Sequence, residues 1–280
     1  VIARVLAFIR FSHTVFALPF ALGAMLAAAH PWPSPKIFAL IVLAMVFART
    51  AAMTFNRLAD WKIDLRNPRT AGRHKLVTRP VAVALLAVSS LAFIGTVRFI
   101  NPLCFALSPL ALAIVFFYSL TKRFTSYSHF FLGLALSVSP VGAWLAVSGR
   151  FDFPPLVLAL AVLFWVAGFD LIYATQDFEF DKNEKLHSLV VRLGLAKSLV
   201  LAQWLHAAMW VLLIGFGVAC ARGAFYYAGM ALIFPVLIFE HRTAQKMDIA
   251  AINRAFFNSN AFVGAVFVAA ILLDKLAGVA

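Results

Sequence analysis

Two stretches of this sequence set carboxylates into otherwise apolar chain. In TFNRLADWKIDLRNPRTAGR, Asn56, Asp60 and Asp64 recur at spacings of four, and FDLIYATQDFEFDKNEKLHS carries Asp170, Tyr173, Asp177 and Asp181. Residues four apart stand one turn above another on the same helix face, so each stretch offers a column of oxygen ligands. Hard oxygen donors without histidine or thiolate suit Mg2+, which takes one or two carboxylates and completes its octahedron with water and substrate phosphate. Two ions held in this way could clamp one diphosphate. Any one of these aspartates could simply end a helix in the headgroup region and pair with a neighbouring base. The register of the two stretches argues against that for the set: a single shift superposes Asn56 on Tyr173, Asp60 on Asp177 and Asp64 on Asp181.

The elements that carry these columns follow from composition. With 64% apolar and 12% charged residues in a chain of 280, and a mean hydropathy of +0.94, there is too little polar surface to cover a soluble globule. About 20 apolar residues suffice to span a bilayer. Nine such stretches are predicted, over residues 12–30, 35–56, 80–97, 102–120, 129–148, 154–175, 197–221, 223–239 and 258–276. The acidic columns end the second and the sixth. Four helices separate them, an even number, so the repeat is direct and both columns emerge on one membrane face, able to face each other across a central cavity. The expected fold is an all-α integral membrane protein, a single transmembrane domain over residues 1–280.

The formal charge of +13 sorts by membrane side. The N-terminal segment and every second loop after it hold eighteen lysines and arginines, and the opposite loops hold five. This imbalance predicts a cytoplasmic N-terminus and, with an odd helix count, an outer C-terminus. Nucleic-acid binding is not needed to explain the charge. Cys104 and Cys220 fall inside predicted helices with no CxxC spacing, which suits packing rather than a disulfide or metal site. The first apolar stretch lacks a small-residue cleavage site and is expected to stay in the mature protein.

Arg49 is the one base left inside a predicted helix. It lies seven positions before Asn56, nearly two turns, on the same face and roughly 10 Å deeper. A buried guanidinium needs an anion: Asp170, seven before Asp177, is a structural candidate, and a substrate carboxylate is the functional one. Arg57, Lys62 and Lys75 are expected to contact headgroups.

The pattern NxxxDxxxD after the second helix, with DxxYAxxDxxxD after the sixth, resembles the paired signatures of the UbiA family of aromatic prenyltransferases. The likeness extends to Arg10 before the first helix, Arg49, the RTAxR stretch from Arg69 to Arg73, and YxxxK at Tyr118 and Lys122. It implies a nine-helix fold with a central cavity open sideways to lipid. It also implies Mg2+-dependent transfer of a polyprenyl chain from its diphosphate to an aromatic carboxylic acid, in quinone biosynthesis at the bacterial cytoplasmic membrane. On this reading Asp60, Asp64, Asp177 and Asp181, with Asn56 as a neutral ligand, hold two Mg2+ ions. Arg66, Arg69, Arg73 and Lys122 bind the diphosphate, with Tyr118 in the same motif, and Arg10 and Arg49 read the acceptor's carboxylate. Tyr173 either shields the allyl cation with its ring or orients the diphosphate through its hydroxyl. Arg57 stands where the best-known 4-hydroxybenzoate enzymes carry aspartate; NR resembles a bacterial subgroup of 4-hydroxybenzoate polyprenyltransferases. The acceptor is expected to be 4-hydroxybenzoate, with 1,4-dihydroxy-6-naphthoate of the futalosine menaquinone route as the alternative. A reading from another class is an ion-coupled transporter, but such sites tend to lie near the midplane in inverted repeats.

Overall fold

The structure is a computed structural model describing residues 2–10, 14–67, 70–184 and 186–278, the side chains of Ile2, Val15, Arg73 and His74 excepted. All regular structure among these residues is helical: α1 (Ile2–Phe8), α2 (Thr14–Ala28), α3 (Pro35–Ala59), α4 (Trp61–Arg66), α5 (Arg79–Arg98), α6 (Pro102–Thr121), α7 (Ser128–Ser148), α8 (Pro154–Ala174), α9 (Phe178–Asn183), α10 (Leu189–Leu193), α11 (Leu195–Ala219), α12 (Ala224–Ala244) and α13 (Ile249–Leu276).

Eight of these, α3, α5 to α8 and α11 to α13, are long and apolar enough to cross a bilayer, and α2 is a shorter apolar helix. The chain is a multi-pass membrane protein. The nine predicted stretches each map onto one of these helices, with the ends differing where polar residues begin. The helix expected to start near residue 258 starts at Ile249, because Asp248 caps it by accepting from the amides of Ala250 (2.9 Å) and Ala251 (3.2 Å). Asn253 and Arg254 interrupt the apolar run without interrupting the helix. Caps and prolines fix other starts. Ser34 accepts from Ile37 N ahead of Pro35, and Asn101 accepts from Cys104 N ahead of Pro102, with the proline in each case at a first-turn position that needs no N–H.

The centre of the bundle is α8, which buries residues on all sides, Leu158, Val162, Trp165, Val166 and Leu171 among them, against α7 and α11. Close approach is set by small residues, as is usual where lipid gives no hydrophobic drive for helix association. A Cβ at Gly133 of α7 would lie 2.4 Å from the Leu163 carbonyl oxygen of α8. Around this centre α2 packs on α7 and α13, α3 on α5 and α6, and α12 on α13. The two motif-bearing helices, α3 and α8, therefore come to one end of the same bundle with a cavity between them.

Candidate active site

The first acidic column runs almost without a break. Asp60 is the single residue between α3 and α4; its amide donates to the Asn56 carbonyl at 2.9 Å, and the Asp64 amide donates to the Asp60 carbonyl at 2.8 Å. The i+4 spacing is thus carried through the junction, and Asn56, Asp60 and Asp64 share one face. The second column is built differently: α8 ends at Ala174, a 3-10 turn covers Thr175–Asp177, and α9 carries Asp181. Asn67, just after α4, donates to Asp177 Oδ1 at 3.4 Å and so ties the two columns together.

Both columns open into one cavity of about 350 Å³. Of the residues expected in a site, Arg10, Arg49, Asn56, Asp60, Asp64, Tyr118, Lys122, Tyr173, Asp177 and Asp181 all line it. Arg66 is not among the lining residues. Its side chain is exposed and pairs with Glu184 at 2.8 Å, because α4 turns it away from the face that carries Asp64. Arg69 lies outside the described residues, as does the side chain of Arg73.

Cations already sit on the first column. Lys122 Nζ donates to Asp60 Oδ2 at 2.5 Å, and Arg57 Nη1 lies 3.5 Å from Asp64 Oδ2. Burial raises the Asp60 carboxyl above its ordinary range, outweighing the lowering by the Lys122 ammonium. The arrangement of Arg57 corrects the expectation of a headgroup contact: the residue is buried, and its Nε donates to the Phe8 carbonyl at 3.5 Å. Seven residues, two turns, separate Arg57 from Asp64, which brings the pair onto one side of α3 and α4.

Deeper in, Arg49 lines the cavity below Asn56, and its buried Nε has no hydrogen-bond partner among the described residues. Asp170 does not serve it. That carboxylate pairs with His129 of α7, Oδ2 to Nδ1 at 2.6 Å. Arg10 has a left-handed backbone (φ 46°) and donates from Nη1 to the Tyr173 hydroxyl at 3.2 Å. Phe16, Phe169 and Phe256 form an aromatic wall, with centroids 5.3 to 5.9 Å apart, and the Tyr173 ring stands 4.9 Å from that of Phe256. These phenylalanines and His129 were not singled out in the sequence. Nothing in a chain with 29 phenylalanines marks three of them, since their shared wall joins α2, α8 and α13.

The donor set fits a hard divalent cation. Asp60 Oδ1 is buried without a partner, and the remaining carboxylates present oxygens only. Among the described residues no three of histidine, cysteine, aspartate and glutamate converge on one point. Carboxylates set out in ones and twos suit an ion that takes one or two of them and leaves its other positions to water and phosphate.

A profile of the UbiA prenyltransferase family matches residues 17–266. A 4-hydroxybenzoate octaprenyltransferase from Nitrosomonas europaea is 30% identical over 256 residues, 89% of this chain and 86% of its own length. The enzyme of the same name from Methylobacillus flagellatus is 29% identical over 248 residues, covering 87% and 83%. Among solved structures, the apo form of a UbiA homologue from Aeropyrum pernix K1 is 33% identical, with a TM-score of 0.84 over 94% of this chain and 98% of that one. A UbiA homologue from Archaeoglobus fulgidus, solved with GPP and Mg2+, shares the fold at 20% identity, with a TM-score of 0.68 over 98% and 99%.

Proposed function

Because the chain belongs to the UbiA prenyltransferase family, we propose that it transfers a polyprenyl chain from its diphosphate to the ring of an aromatic carboxylic acid, 4-hydroxybenzoate in the first instance. The observation that carries this reading is the single cavity in which two carboxylate columns, an aromatic wall and the unpartnered Arg49 meet. The excess of basic residues at the end of the bundle that carries the columns supports a site that faces the cytoplasm, and the bacterial homologues support a protein of the bacterial cytoplasmic membrane.

The difficult step is heterolysis of the allylic carbon–oxygen bond, which leaves several negative charges on the departing group. Held by Asp60, Asp64, Asp177 and Asp181 with Asn56 alongside, two Mg2+ ions would neutralise that charge where it develops. Lys122 adds a further cation at the mouth of the first column. The diphosphate would belong between the columns, near Lys122 and Asn67, and the allylic carbon deeper, against Phe16, Phe169, Phe256 and Tyr173. Those rings exclude water, which would otherwise capture the cation as an alcohol, and their faces favour positive charge. Arg49, two turns below Asn56, would donate from its planar fork to the acid's carboxylate and so present the ring to the cation.

The test is an assay of membranes containing the protein with labelled polyprenyl diphosphate and each candidate acid in turn. Mg2+-dependent prenylation of 4-hydroxybenzoate is expected. Prenylation of 1,4-dihydroxy-6-naphthoate alone would move the assignment to the second acceptor, since both acids carry the carboxylate that Arg49 would bind. Release of pyrophosphate that depends on neither acid would overturn the reading.

A further inference from the structure

Transfer to an aromatic ring leaves a proton to be disposed of. The carbon–oxygen bond of the donor breaks first, pyrophosphate leaving with the electron pair, and the ring carbon beside the hydroxyl then attacks the allyl cation. A carbon–carbon bond forms, and the attacked ring carbon becomes tetrahedral, still carrying its hydrogen. Aromaticity returns only when that C–H bond gives its electrons back to the ring and the proton passes to a base. Building on the proposed transfer to an aromatic acid, we propose that His129 is that base and that Asp170 is the residue that positions it.

The case rests on geometry. His129 near the start of α7 is buried, and its Nδ1 lies 2.6 Å from Asp170 Oδ2 on α8. The role asks for a ring whose Nδ1 donates to the Asp170 carboxylate, which leaves the Nε2 lone pair to take the proton. Nε2 is buried and has no hydrogen-bond partner among the described residues, and His129 lines the same cavity as Arg49 and the aromatic wall. A base oriented through its other nitrogen by a buried carboxylate is the arrangement that fixes tautomer and stabilises the imidazolium once formed. The other groups are less suited. Asp60 and Asp64 are held by Lys122 and Arg57 at the diphosphate end, and His187, which also borders the cavity, is exposed. The rival acceptor of the proton is the departing pyrophosphate itself.

An isotope effect separates these routes. With 4-hydroxybenzoate bearing deuterium at both carbons beside the hydroxyl, the unaltered protein is expected to show an effect near unity on kcat, because ionisation of the donor limits the rate. In His129→Gln, kcat is expected to fall by about 100-fold or more and the effect to rise to about 2 or above, as proton loss becomes limiting. Donor ionisation, read as scrambling of a heavy-oxygen label out of the bridging position, should persist. Asp170→Asn should shift kcat and isotope effect the same way by a smaller amount, and added imidazole should restore part of the turnover of His129→Ala. Should His129→Gln fail to fold in detergent, Asp170→Asn carries the same readout. Folded variants with unchanged kcat, or slow variants whose isotope effect stays near unity, would overturn the inference and leave the proton to pyrophosphate. An unaltered protein that prenylates neither acid would instead overturn the reading of the acceptor, and this inference with it.

Discussion

The two acidic columns share a spacing and differ in their surroundings. Asp60 and Asp64 are 4% and 7% exposed, with Lys122 on the first and Arg57 on the second, whereas Asp177, which accepts from Asn67, and Asp181 are half-buried at a broken helix. Around the first column, Arg57 of α3 reaches the Phe8 carbonyl of α1, and Lys122, just after α6, reaches Asp60. The second column is interrupted by the 3-10 turn at Thr175–Asp177. An internal repeat thus preserved the ligand spacing while the charge environments of its copies diverged. One column is buried deeper than the other, and both line the same cavity.

Removing any of the four carboxylates, as in Asp60→Ala, Asp64→Ala, Asp177→Ala or Asp181→Ala, is expected to lower turnover by about 100-fold or more, the scale of losing a key charge-stabilising contact. Excess chelator should abolish it. Near-normal turnover in two of the four would break the two-column site. The comparison sharpens in the stability of the same variants. Asp64→Ala strands the buried Arg57 and should lose about 3 kcal/mol, because an uncompensated buried charge is far costlier than a missing pair, whereas Asp181→Ala should leave Tm nearly unchanged. Equal losses of Tm in the two would show that the columns do not differ in this way.

A smaller and more selective effect is expected at Arg49. Arg49→Ala should raise the KM of the acid by about 10-fold to 100-fold, as for a lost charge-assisted contact of about 1.5 to 3 kcal/mol, and leave the donor's KM within a few-fold. Lys122→Ala should do the reverse, and Arg49→Lys should recover little of the loss. An unchanged KM for the acid in a folded Arg49→Ala variant would remove Arg49 from the site. The smallest effect belongs to Arg66, whose exposed pair with Glu184 is worth under about 1 kcal/mol. Arg66→Ala should retain near-full activity, and a tenfold rise in the donor's KM would return Arg66 to the diphosphate.

What could be read from the sequence is what repeats along it. Apolar runs located the helices, and the i+4 recurrence of Asn56, Asp60 and Asp64 located both columns, because helical periodicity is a property of the chain itself. Partnerships between helices left no such trace. His129 and Asp170 are 41 residues apart on different helices, so Arg49 was weighed as the partner of Asp170 when a histidine already held it. Arg57 looked like a headgroup residue because it follows the predicted helix end at Asn56, yet α3 continues through it and it is buried, with its Nε on the Phe8 carbonyl of α1. The aromatic wall is assembled from three distant helices and was invisible for the same reason.

The cations seated on the first column have a thermodynamic consequence. If the columns hold divalent ions as proposed, Lys122 on Asp60 Oδ2 and Arg57 on Asp64 Oδ2 would give up those oxygens to an ion that uses them, and the diphosphate would offer the displaced side chains an anion to pair with. Binding in the proposed reaction is therefore an exchange of partners, with the anion and the ion each lowering the other's cost of entry. Linkage then requires that whatever factor the diphosphate adds to the affinity for the ion, the ion adds to the affinity for the diphosphate.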